Sequence, residues 1–122
     1  MRKDIDIHAR LLRFGIRVVK FCKHLSKNID NRAIADQLIR SGTSVGANMQ
    51  EADSASSHKD FINKVSISKK EIQETNYWLK IILGAELLKD ERDLEELKEL
   101  LNESDELIRI IGAIFHNARN KQ

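Results

Sequence analysis

Apolar residues in this chain return at alternating steps of three and four from about residue 7 to residue 115, and no proline interrupts them. That period is the signature of helical faces turned to a shared core. Ile7, Leu11, Phe14, Val18, Cys22 and Leu25 define one face, and Ile34, Leu38, Gly42, Val45, Met49 and Ala52 a second. A third runs through Phe61, Val65, Ser68, Ile72, Thr75, Leu79 and Ile82, and a fourth through Leu94, Leu97, Leu101, Ile108, Ile111 and Phe115. Polar breaks between them predict helices over about 6–27, 31–54, 58–87 and 91–119. Asp30 or Asn31 is placed to cap the second, Ser57 and Asp60 form a capping box for the third, and Asp90 to Asp93 bring acids to the positive end of the fourth. Links of a few residues force antiparallel neighbours, so the expected fold is all-α, an antiparallel up-down-up-down four-helix bundle in one domain spanning 1–122.

Leu12, Ile16 and Val19 carry the apolar arc of helix 1 past what one helix partner would cover, which points to a second buried contact. A lone cysteine, Cys22, fits a reducing compartment and predicts a cytoplasmic protein. No window approaches the roughly 20 apolar residues of a membrane span, and no signal-peptide core is visible, so no membrane association is expected. The formal net charge is only +2, but residues 1–29 hold eight basic side chains against two acidic ones, whereas 89–122 hold six against nine. Charge is polarised along the chain.

The stretch Arg40 to Asn48, RSGTSVGAN, has the look of a phosphate-cradling loop. A Walker-type loop needs four residues between its glycines, a following Lys and a preceding strand; here three residues separate Gly42 from Gly46 and no Lys follows. The reading that survives is close helix packing, because glycines four apart on a helix face nearly the same way and admit a neighbour. Beside them Gln37, Ser41, Ser44, Asn48 and Glu51 form a polar row, expected to join Glu71 and Glu74 in a buried polar seam at a helix contact. Neither a cofactor nor a small-molecule substrate is expected.

The run Gln37 to Ala52, then Asp60-Phe61-Ile62, then Lys70 to Leu79 (KEIQETNYWL) resembles the four-helix-bundle family of 23S ribosomal RNA intervening-sequence proteins. The resemblance covers about half the chain. It implies a bacterial cytoplasmic protein that assembles as a ring-like homopentamer without established catalysis. The accessory variability proteins of diversity-generating retroelements are similar in fold, and imply basic pentamers that bind a reverse transcriptase and nucleic acid.

Arg10, Arg13, Arg17, Lys20 and Lys27 form a basic stripe that, repeated around a ring, would neutralise several phosphates. RNA, DNA or a nucleic-acid-bound protein is the expected partner beside the chain itself. The competing account is a solvated face, or one that pairs with acidic helix 4. Phe14, Phe21, Phe61 and Phe115 read as core and only Tyr77 and Trp78 are ambiguous, so no base-stacking platform is evident. Glu51, Glu71 and Glu74 suggest a di-iron site, but no Glu-x-x-His occurs and no metal is expected. Arg109 with His116 fits a loose ribonuclease pattern that Arg17 with His24 and Arg2 with His8 also satisfy, so it discriminates nothing. A non-enzymatic homo-oligomeric scaffold is therefore expected first, a structural or protein-binding oligomer without nucleic-acid binding second, and a ribonuclease third.

Overall fold

A computed structural model describes residues 6–121. Four helices, α1 (Ile7–Leu25), α2 (Arg32–Asp53), α3 (His58–Gly84) and α4 (Glu91–Asn120), pack as a four-helix bundle. Side-chain pairs fix their directions. Cys22 Sγ meets the Ala35 carbonyl while His8 meets Asp53, so α1 and α2 run antiparallel. Lys64 to Glu51 and Arg40 to Glu71 set α2 against α3, Asn76 to Ser104 sets α3 against α4, and Arg10 to Glu103 with Arg17 to Glu96 returns α4 to α1.

Local chemistry sets the helix ends. Asp6 accepts from the backbone N–H groups of His8 and Ala9, and Asp90 from those of Arg92 and Asp93. The Ser57 hydroxyl accepts from the Asp60 N–H at 3.0 Å, as the capping box requires, but Asp60 reaches back to the N–H of Ser56 rather than Ser57. Its shorter carboxylate lands one residue away from the usual box. Helix α2 begins after Asn31, yet Asn31 caps nothing: its side-chain amide bonds the Leu25 carbonyl, and a single 3₁₀ turn over Ile29–Asn31 makes the corner. Helix α3 stops at Gly84, three residues earlier than the periodicity predicts, where Glu86 takes a positive φ of 55°.

The core combines Leu11, Phe14 and Val18 of α1, Leu38, Val45 and Met49 of α2, Ile72, Leu79 and Ile82 of α3, and Leu97, Leu100, Leu107 and Ile111 of α4. The inward stripe of α4 differs from the expected one. Leu94, Leu101, Ile108 and Phe115 are only partly buried, and the deep positions are Leu97, Leu100, Ser104, Leu107 and Ile111. Ser104 disguised that stripe, because a polar residue stands at its centre. It is satisfied there by the Asn76 side-chain amide at 2.8 Å. Thr75 likewise donates to the Ser41 hydroxyl at 2.9 Å, and Ser68 to the Val45 carbonyl at 2.8 Å.

Candidate interaction face on α1

Residues Arg40 to Asn48 lie wholly within α2. Gly42 and Gly46 face α1. A Cβ added at Gly42 would stand 2.8 Å from Val18 Cγ1, and one at Gly46 would stand 3.3 Å from Leu11 Cβ. The backbones therefore approach as closely as missing side chains allow, and that approach leaves a groove on the outside.

The groove, of about 720 Å³, runs between α1 and α2, with Gly15, Gly46 and Ala47 among its small lining residues. Leu12 and Ile16 line it and remain 66% and 47% exposed, with Val19 beside them. These residues form the extra arc of helix 1, so the apolar excess read in the sequence is uncovered in a single bundle. Lys20 and Lys23 border the groove at one end and Asp6 at the other.

The structure splits the expected basic stripe in two. Arg10 donates from Nε to Glu103 Oε2 at 2.7 Å and from Nη2 to Glu103 Oε1 at 2.8 Å, and its Nη2 also lies 2.9 Å from Glu106. Arg17 makes the same two-pronged contact with Glu96, at 3.1 and 3.0 Å, and reaches Glu99 at 3.1 Å. Both guanidinium groups are held even more firmly charged than usual, first by these hydrogen bonds, and Glu103 is held below the ordinary carboxylate range chiefly by its bond from Arg10. Arg13 and Lys20 are exposed on the outer side of α1, and exposed Lys27 falls just beyond its end. Arg13, Lys20 and Lys27 make no ion pair among the described residues. Spacing alone could not separate these groups, since Arg10 and Arg17 sit only one helical step from Arg13 and Lys20.

The polar seam is narrower than expected. Ser41 is buried, but Ser44 bonds the Arg40 carbonyl and Asn48 the Ser44 carbonyl within their own helix. Glu51 is exposed and meets Lys64, while Glu71 and Glu74 lie at the rim around Arg40. Trp78 donates from Nε1 to Glu74 at 3.0 Å, the leading cause of that carboxyl's lowered pKa. These side chains sit one step too far round their helices to enter the core, so the buried polar partners are Ser68, Thr75, Asn76 and Ser104 instead.

Cys22 is fully buried and its thiol is pushed up to about 12 by loss of solvent, which keeps it protonated and unreactive. Of the arginine–histidine pairs, Arg17 is engaged with carboxylates, His116 lies 3.1 Å from Asn120, and Arg2 is outside the described residues. No group of three or more metal-ligating side chains occurs among the described residues, and no helix there is long and apolar enough to cross a membrane.

The fold and this face define an all-helical four-helix bundle with an uncovered apolar groove between α1 and α2. The family model of the 23S rRNA-intervening sequence protein matches residues 3–113, and the chain belongs to that family. It is similar to a crystal structure of a protein of unknown function from the S23 ribosomal protein family of Bacteroides thetaiotaomicron, at 35% identity over 89% of this chain and 97% of that one, with a TM-score of 0.80. A comparison with curated proteins finds no match.

Proposed function

We propose that the protein is a non-enzymatic cytoplasmic scaffold that works as a homo-oligomer, a ring of five copies in the form its family resemblance implies. The uncovered Leu12–Ile16–Val19 groove carries this reading. Apolar surface gathered in one concave strip, with Leu12 and Ile16 66% and 47% exposed, marks a contact surface rather than scattered surface apolarity. Light scattering on the purified chain tests it. The expected mass is a multiple of 14.0 kDa, and Leu12→Glu is expected to reduce it to one copy without loss of helix content. A wild-type monomer at working concentration would end the proposal.

A second role rests on Arg13, Lys20 and Lys27, exposed cations that make no ion pair among the described residues. Brought together by symmetry, they would form a belt for an RNA or DNA backbone or a nucleic-acid-bound protein. Retention of labelled RNA and DNA should fall steeply with salt, and fall again when all three are changed to Glu, whereas Arg10→Gln should barely alter it. Salt-independent retention would leave a scaffold for protein partners alone.

A further inference from the structure

Helix α4 carries opposite charges on its two flanks. Glu96, Glu99, Glu103 and Glu106 meet Arg10 and Arg17 of α1. The flank toward α3 is marked by Asp105, which accepts from the Asn76 side-chain amide at 3.0 Å. Lys98 lies seven residues before Asp105 and Arg109 four after it, and such steps share a helix face. The same steps recur on the other side of the contact, where Lys69 lies seven residues before Asn76 and Lys80 four after it. Because α3 and α4 are antiparallel, Lys69 and Arg109 come to one end and Lys80 and Lys98 to the other, so four cations frame the Asn76–Asp105 contact. None of the four makes an ion pair among the described residues, and Glu71 and Glu74 of α3 are turned to Arg40 of α2.

The Lys69–Arg109 end also has an apolar floor. Ile108 and Phe115 are partly buried against the core. Gly112, one helical step from each, leaves a hollow beside them, since nothing lies within 4 Å of a Cβ built there. Lys69 Nζ and Arg119 Cζ stand 5.9 and 5.4 Å from the centroid of the Phe115 ring, so cations rim the hollow. We propose that this face docks an acidic amphipathic helix of a partner protein. It would lie along the α3–α4 seam, with carboxylates on both flanks meeting the four cations and an apolar side chain seated at Gly112. An apolar floor between rims of one charge matches a helix whose apolar face is flanked by the other charge.

Spacing favours discrete acids over a nucleic-acid backbone. Lys69 to Lys80 and Lys98 to Arg109 are each eleven residues, about 16 Å at 1.5 Å per residue. A partner helix returns to the same flank over the same three turns, so its acids can meet both ends and pass over the centre. Duplex DNA carries a negative charge about every 1.7 Å of its axis and would press phosphates on Asp105 as well. Nor does Phe115 offer a free ring to a base, because Lys69 and Arg119 already stand over it. Helices α1 and α3 each pack on α2 and α4, which puts this face across the bundle from the α1–α2 groove. Docking here is therefore independent of assembly there.

Fluorescence anisotropy with a labelled model peptide tests this. The probe is a helix of about 20 residues with leucines on one face and glutamates at the matching spacing on both flanks. A scrambled peptide of the same composition and a single-stranded RNA oligonucleotide are the comparators. The helical peptide should bind about tenfold tighter than the scrambled one. Lys69→Glu with Arg109→Glu should weaken it about tenfold or more, as two rim contacts become repulsions. Gly112→Leu fills the hollow and should weaken binding at unchanged charge. Arg13→Glu with Lys20→Glu changes the net charge equally on the far side and, at physiological salt, should leave binding within about twofold. No binding of the helical peptide, equal binding of the scrambled one, or indifference to the Lys69–Arg109 change or to Gly112→Leu overturns the docking site. RNA that displaces the peptide and is lost in the same double variant would make this a phosphate-binding face instead. If that double variant loses helical signal, Lys80→Glu with Lys98→Glu at the other end serves in its place.

Discussion

Helix α1 is held by two seams of opposite design. Toward α2 it depends on atoms that are absent, since Gly42 and Gly46 leave room for Val18 and Leu11. Toward α4 it depends on charges that are present, with Arg10 and Arg17 each gripping a carboxylate from two nitrogens. The first seam should therefore fail when matter is added and the second when charge is removed. The difference also decides what α1 has left to offer outside the bundle: the tight seam leaves a groove, and the charged seam withdraws two of the five stripe cations.

The largest expected effect is on the tight seam. Val18 is fully buried and β-branched, so it cannot swing away from a new side chain at Gly42. Gly42→Leu is expected to cost about 3 kcal/mol or more in a urea titration. Gly42→Ala should cost less, because a single methyl adds far less volume against Val18 while about 1 kcal/mol of helix propensity is still returned. Pairing Gly42→Ala with Val18→Ala in a double-mutant cycle should show a favourable coupling, and simple additivity would mean that the close approach is not what limits this position.

Next in size is the charged seam. Arg10→Met leaves Glu103 and Glu106 facing α1 without a cation, and the Arg10 side chain is only 17% exposed. A loss of about 2 kcal/mol is expected, between the values for exposed and buried pairs. High salt should narrow the gap between Arg10→Met and wild type and leave that of Gly42→Leu unchanged. Equal salt response in both would erase the distinction between the seams. Gly112 gives the control, since nothing lies within 4 Å of a Cβ built there. Gly112→Ala should stabilise by about 1 kcal/mol through propensity alone.

The fold was legible because it is written in repetition: steps of three and four over four segments locate the helices, and short links leave little choice of topology. The glycine pair was legible for the same reason, as two side-chain-free positions one turn apart. What the sequence hid was partnership across helices. Arg10 and Arg13 look alike in one dimension, and only the placement of Glu103 and Glu106 singles out Arg10 as the one bonded to α4 among the described residues. Ser104 concealed the α4 stripe because a buried polar residue is explained by its partner, Asn76, twenty-eight positions away. The groove lay between these extremes: the surplus of apolar positions on helix 1 was visible, and its concave shape was not.

The smallest expected effect is the acid response of the charged seam. Glu103 is held below its ordinary value in the folded chain, foremost by the hydrogen bond from Arg10, so between the unfolded and folded values the unfolded chain binds more protons. Stability from this carboxylate is complete above the ordinary glutamate range near about 4.3. It drains away as pH falls through the lower, folded value. Because the pair is partly solvated, the contribution should stay below about 1 kcal/mol. Thermal midpoints followed from pH 6 down to pH 3, roughly the span over which a glutamate titrates, should fall less in Glu103→Gln than in wild type, since the variant has no proton to take up there. A parallel fall in both would place the acid sensitivity elsewhere, with Glu74 and its bonds from Trp78 and Arg40 as the next carboxylate to replace.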